Sequence, residues 1–240
     1  MIARGRVVAG DRGVPGVNVT DGFTVAETDA DGAFSLPSRR GRFVSVRLPA
    51  RYAAAHGLPW APAADDLRFE LRRGDDDGAR HGFVVLADPQ PSREAHLAEF
   101  EATTVPAVAR AAGTLPGGVF GVGLGDHVGD APQVLPASAA AVARTGLPFF
   151  HLLGNHDGSP GDRKGPFHRR FGPARYSFDR GEIRYVVMDN VSWFCGRYRG
   201  RLGRAQLDWL RADLAGVERG RGQTREVMDR LVALEIVPAG

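Results

Sequence analysis

Three apolar runs, at residues 83–87, 119–124 and 148–153, each end in a polar cluster. Asp88-Pro89-Gln90 follows the first, Gly125-Asp126-His127-Val128-Gly129-Asp130 the second, and Gly154-Asn155-His156-Asp157 the third. A short continuous apolar run fits a strand buried on both faces, the pattern of a parallel sheet covered by helices. Helix-like segments lie between the runs, at 93–112, interrupted by Pro106, and at 137–143. Strands alternating with helices predict an α/β layered domain from residue 82 onward. In such domains ligands bind beyond the carboxyl ends of the strands. If the three strands are parallel neighbours, Asp88, Asp126 and Asn155 converge on one pocket. Carboxylates and an amide there suit a divalent cation: Mn, Fe, Mg or Zn.

The first 72 residues have another grain. Short β-type runs at 5–8, 16–20, 23–27, 33–36 and 43–48 are separated by Asp11-Arg12-Gly13, Asp21-Gly22, Asp31-Gly32 and Arg40-Gly41. Asp and Gly at those places pre-form tight turns. The strand–turn spacing predicts an all-β sandwich. Residues 67–71 add an alternating strand, and the Pro/Ala stretch 58–64 reads as an irregular loop. Residues 73–81, centred on Gly74-Asp75-Asp76-Asp77-Gly78, read as a solvated linker. Beyond the third polar cluster, a strand pair at 176–178 and 183–188 turns at Arg180-Gly181. Leu207, Leu210 and Leu214 share a helical face, and a last helix is expected at 225–234.

Composition narrows the function classes. Gly (32) and Pro (16) are abundant without a Gly-X-Y period, which excludes collagen and favours a loop-rich fold. One cysteine, Cys195, excludes an internal disulfide framework and a multi-cysteine zinc site. Without a paired catalytic signature, Cys195 is expected to be a buried structural thiol. The net charge is +3, and the arginines are interspersed with acids except over 197–225. No recognition motif accompanies that stretch, so no nucleic-acid partner is expected. Neither a signal peptide nor an 18-residue apolar run is visible, so no membrane partner is expected and the cytoplasm is the default compartment.

The order and spacing of the three clusters resemble the calcineurin-like metallophosphoesterases, whose blocks run D-x-H, G-D-x-x-x-D and G-N-H-D/E. Phe171-Gly172-Pro173 through Tyr176-Ser177-Phe178 to Val187-Met188-Asp189 is similar to that family's hairpin. Gln206-Leu207-Asp208-Trp209-Leu210 is similar to its Q-L-x-W-L helix. Val14-Pro15-Gly16-Val17 through Thr28-Asp29-Ala30-Asp31-Gly32 to Phe34-Ser35-Leu36-Pro37 resembles the transthyretin-like module that precedes the catalytic domain in one subfamily, which also carries D-P-Q for D-x-H. The resemblance spans roughly residues 5–215. It implies a transthyretin-like sandwich over 1–72, then an αββα-layered phosphoesterase domain over 82–240. It also implies a phosphate-ester substrate and two divalent metal ions. Asp126 would bridge the ions, Asp88 and Gln90 would hold the first, and Asn155 the second. His156 would be the general acid and Asp157 would orient or charge-stabilise it. Asp130 would be a supporting or capping residue.

The family pattern closes with a lone His and G-H-x-H, whereas this sequence has no His after His168. The second metal then keeps only Asp126 and Asn155. The domain is therefore expected to be C-terminally incomplete, with apolar sheet surface uncovered. A catalytically inactive homologue acting as a binding module is the alternative. His127 is expected on a solvent-facing loop and His151 within a strand, neither as a ligand. Trp193, Phe194 and Tyr198 are expected in the core, with the pocket mouth as the alternative.

Overall fold

The computed structural model describes residues 1–55, 59–74, 80–159, 161–195 and 197–215. Most of the 73–81 linker and the helix expected at 225–234 lie outside them. The chain divides into two units. One comprises Met1–Arg73, Arg175–Phe178 and the chain from Asn190 onward; the other comprises Gly74–Ala174 and Asp179–Asp189. No helix among the described residues is long and apolar enough to cross a membrane.

The N-terminal part of the first unit is all β. Its strands are β1 (Ile2–Ala9), β2 (Arg12–Gly13), β3 (Asn18–Thr20), β4 (Val25–Glu27), β5 (Ala33–Pro37), β6 (Phe43–Val46), β7 (Tyr52–Ala54), β8 (Trp60–Pro62) and β9 (Leu67–Arg73). In one sheet β1 pairs antiparallel with β2 and β5 and parallel with β9, which pairs with β7. The other runs β4-β3-β6-β8. Val7, Val19, Leu36 and Val44 are fully buried. The turn into β5 shows the local cause. Asp29 Oδ1 accepts from the N–H groups of Asp31 and Ala33, at 3.0 and 2.8 Å. Gly32 takes φ +73° there, and a Cβ on it would stand 2.3 Å from Val7 O. The irregular loop expected over 58–64 instead contains β8, paired antiparallel with β6. It is an edge strand, so Pro62 costs the ladder no needed N–H.

In the second unit β10 (His81–Leu86) leads into α1 (Glu94–Glu99), a π-helical turn at Phe100–Thr104 and α2 (Val105–Ala112). The helical segment is thus not broken at Pro106, as the sequence suggested. A π turn precedes it, and Pro106 falls in the first turn of α2, where a missing N–H is tolerated. β11 (Gly118–Gly123), α3 (Leu135–Ala143), β12 (Phe149–His151) and α4 (Gly165–Phe171) follow. The strands form a parallel sheet in the order β10-β11-β12. Leu86 packs with Phe100, Val105, Ala141 and Val142. On the opposite face Phe83 and Val85 align with Phe120 and Val122. Tyr185 packs against Phe83 and Phe120, yet Phe83 and Val85 remain 47% and 51% exposed. Tyr176–Arg180 (β13) and Ile183–Val187 (β14) are strands.

The chain then supplies β15 (Val191–Phe194), β16 (Arg197–Gly200) and α5 (Arg204–Ala215) to the first unit. Cys195 lies between β15 and β16 with φ +48° and is exposed, not buried, since a tight connection leaves it no core to enter. Phe194 and Tyr198 are also exposed, at 63% and 42%, because no further strand among the described residues pairs with their two-stranded ladder. α5 buries Leu207, Trp209 and Leu210, and Trp209 Nε1 donates to Thr20 Oγ1 at 2.9 Å.

Candidate functional site

The register of the parallel sheet decides what can meet. Leu86, Gly123 and His151 stand level across the three strands, at or next to their carboxyl ends. Asp88 is two residues beyond that line, Asp126 three and Asn155 four. The next residues continue the ladder before the loops turn: Leu124 N donates to Leu86 O at 2.9 Å and Leu152 N to Gly123 O at 2.8 Å. The three polar clusters therefore leave one end of the sheet from adjacent strands.

They are knitted together on Asp126. Its Oδ1 accepts from the His156 backbone N–H at 3.0 Å. Its Oδ2 accepts from Gln90 Nε2 at 3.1 Å, and Gln90 N donates to Asp126 O at 3.2 Å. All three clusters thus touch one carboxylate. Such proximity needs glycine: a Cβ on Gly154 would lie 2.0 Å from Asp126 N and 2.1 Å from its Oδ1. The backbone is strained as well. Asp88, Gln90, Asp126 and Asp130 have φ of +48°, +43°, +49° and +55°, a region that non-glycine residues rarely enter. Strained residues of this kind cluster at active sites and ligand clamps.

His156 is partly exposed, and its Nδ1 lies 2.9 Å from Asp130 Oδ1. The Asp130 carboxylate at that distance holds the imidazole above its ordinary pKa. Partial burial opposes the shift, while the charges of Asp126, Asp130 and Asp157 reinforce it. Asp157 is fully buried. Its Oδ2 accepts from Gly154 N at 2.8 Å and its Oδ1 from Val128 N at 3.3 Å, so it ties the second loop to the third. Burial raises its pKa against the opposing charge of His127 and the Gly154 hydrogen bond.

His127 differs from expectation. It is 3% exposed, with Nε2 3.0 Å from Leu152 O and its ring 4.9 Å from those of His151 and Phe171. The ring turns inward because Gly123 leaves room for it: a Cβ there would stand 2.6 Å from the His127 ring. Burial pushes its pKa down, although Asp157 and Asp126 pull the other way. His151 lies in β12, and burial, with His127 and Arg170 nearby, sets it well below the usual range.

Asp88 is exposed and Asn155 half-buried, and neither side chain forms a hydrogen bond among the described residues. Among those residues no group of three or more His, Cys, Asp or Glu could hold a metal ion. The sequence did not pair His156 with Asp130; the signal was the four-residue offset of Asp130 from Asp126, which carries it back over the third loop. The structural work of Gly154 against Asp126 carried no signal beyond the glycine itself.

Residues 1–62 match the family model described as the N terminal of calcineurin-like phosphoesterase. That match lies within the N-terminal β part and includes none of the site residues. No curated protein matches the chain.

Proposed function

We propose that the chain is a metal-dependent phosphoesterase, hydrolysing a phosphomonoester or phosphodiester at the pocket around Asp126. The observation that carries this reading is the convergence of three loops from adjacent parallel strands on one carboxylate, in a chain whose first 62 residues match the N-terminal region of such enzymes. In this reading residues 1–72 are a transthyretin-like domain, 73–81 a linker, and the chain from residue 82 an αββα-layered phosphoesterase domain.

The donor chemistry bears on the metal. Asp88, Gln90, Asp126 and Asn155 offer two carboxylates and two amide oxygens, a set that fits one divalent cation. It does not fit two. A second ion would share Asp126 and have only Asn155 besides. When bound, the cation supplies charge stabilisation to the phosphate oxygens. The protein's own residues do the rest. Asp126, held by two donors, fixes the pocket's negative charge. His156, whose proton Asp130 favours, gives it to the leaving oxygen as general acid. Asp157 holds Gly154 and Val128, so that the loop carrying His156 keeps its place.

The test is turnover of an aryl phosphodiester by the purified chain with added manganese. Asp126→Asn should abolish it; equal turnover by that variant would place the chemistry elsewhere. A second reading, a phosphate-binding module without turnover, is favoured by the lack of a three-residue metal cluster among the described residues. Phosphate binding with no turnover in any divalent metal would establish it.

A further inference from the structure

Between Asn190 and Leu207 the sequence has four arginines and no acid. The flanking acids are taken: Asp189 pairs with Lys164 and Asp208 with Arg211. Strand pairing turns this run into a surface. β15 and β16 are antiparallel, with Phe194 opposite Arg197 and Ser192 opposite Arg199. Arg201 N donates to Asn190 O at 2.8 Å, so the pairing continues one step beyond the strands. Alternate residues of a strand share a face, and so do residues directly opposite. One face of the ribbon therefore carries Phe194, Arg197, Arg199 and Arg201. The Arg199 guanidinium lies 5.5 Å from the centre of the Phe194 ring, as a shared face requires. Trp193 and Tyr198 stand opposite each other on the other face. All four residues of the basic face are exposed, Phe194 at 63%. Among the described residues no carboxylate pairs with its three arginines.

Three cations in a row repel one another and gain from a partner whose negative charges also lie in a row. Successive arginines here are two residues apart, about 7 Å along the strand. Phe194 beside them offers a flat apolar surface. Backbone-tracking positive charge with an aromatic ring is the combination that holds a single strand of nucleic acid, the arginines on phosphates and the ring under a base. An acidic protein would bring charge but no base to cover the ring, and a duplex keeps its bases stacked inside. We propose that this face of the β15–β16 ribbon binds single-stranded nucleic acid without sequence preference, with phosphates on Arg197, Arg199 and Arg201 and a base on Phe194. The lack of a recognition motif argued against such a partner, but charge and stacking read no sequence and need no motif. The proposal is independent of the metal-dependent reading above.

The experiment is fluorescence anisotropy of a labelled oligothymidine of about twelve nucleotides, within the usual span of such sites. The purified full chain is titrated in EDTA at several salt concentrations, so neither metal nor turnover enters the result. Binding should weaken with salt, with a log–log slope of about −2, or about −0.7 for each of three phosphates. Arg197→Gln should weaken binding and move the slope to about −1.4. Phe194→Ala should weaken binding roughly tenfold with the slope unchanged, and an abasic strand should show the same loss with the unaltered chain. Arg4→Gln, an exposed arginine of β1 paired with Asp65, should change neither. Both ribbon substitutions are at exposed positions, and circular dichroism checks that each variant is folded. Several outcomes would overturn the proposal. These are no binding at low salt, a slope unmoved by Arg197→Gln, full affinity in Phe194→Ala, or an equal loss in Arg4→Gln. Tighter binding of a duplex of the same length would also overturn it, as would binding to phosphatidylserine vesicles without binding to the oligonucleotide.

Discussion

Each unit buries aspartates, and two of them, Asp21 and Asp157, one from each unit, are treated in opposite ways. Asp21, in the N-terminal β unit, receives Arg42 NH1 at 2.7 Å, Ser38 Oγ at 2.9 Å, and the N–H groups of Phe23 and Thr24 at 3.0 Å. Burial alone would raise its pKa; Arg42 and the other donors outweigh burial and hold it below the ordinary value. Among the described residues Asp157 accepts from two backbone N–H groups and from no cationic side chain, and burial outweighs the opposing charge of His127. The backbones differ likewise. The described part of residues 1–73 has no non-glycine residue at positive φ, whereas the loops around Asp126 hold four. The N-terminal β part uses its polar groups on its own turns, whereas the loops around Asp126 gather strained backbone and carboxylates. Charged partners, not depth of burial, separate the protonation of Asp21 from that of Asp157.

The largest effect expected from this contrast is at Asp21. Asp21→Ala leaves Arg42, Ser38 and two N–H groups without their acceptor and should destabilise the first unit by about 3–5 kcal/mol. The three tryptophans, Trp60, Trp193 and Trp209, all lie in that unit, so their fluorescence in urea reads it directly. The pH dependence has a definite sign. Because Asp21 has a lowered pKa when folded, its contribution is full above the ordinary value of 3.8 and is lost as pH falls through the folded value. The variant should lose that acid limb. A cost below about 1 kcal/mol would show that the network is no stronger than exposed pairs.

Next comes Gly154→Ala. The added methyl meets Asp126 N and Oδ1 at 2.0 and 2.1 Å, and backbone has little freedom to yield. A cost of about 1–3 kcal/mol is expected. Thermal melting reads the stability, and loss of Mn²⁺ binding reads the displaced Asp126. A variant that keeps both would show that the loops tolerate slack, and the contrast with the first unit would weaken.

The sequence carried much of this arrangement and missed the rest for physical reasons. Short apolar runs located β10, β11 and β12, although burial on both faces is not their cause throughout: among the described residues Phe83 and Val85 of β10 stay about half exposed. Asp-Gly pairs located the N-terminal turns because so few residues accept positive φ. Where a strand is only an edge the pattern fades: β8, in a Pro/Ala stretch, and β16, fully exposed, carry little periodicity. The polar clusters were visible as composition, but the partners within them were not. Inward packing of His127 depends on the space left by Gly123, and pairing of His156 with Asp130 depends on how one loop folds over another. Both are relations in space between residues 4 and 26 positions apart.

The smallest effect expected concerns that last pair. His156 and Asp130 are 35% and 76% exposed in their side chains, so solvent screens them and little stability is at stake. What the pair changes is protonation. With its pKa raised, His156 contributes fully below its ordinary 6.5 and loses that contribution as pH rises through the folded value. Asp130→Asn keeps a polar neighbour but removes the charge and the strong acceptor, so the imidazole midpoint read by NMR titration should fall. Asp157→Asn should lower it less, because the Asp157 oxygens are turned to Gly154 and Val128 and its charge is the weakest of the influences on His156. The alkaline limb of turnover should move down with the midpoint in Asp130→Asn, as expected if protonated His156 is the acid. A larger shift from Asp157→Asn would reverse the order and make the buried carboxylate, rather than the exposed one, the partner that tunes the acid.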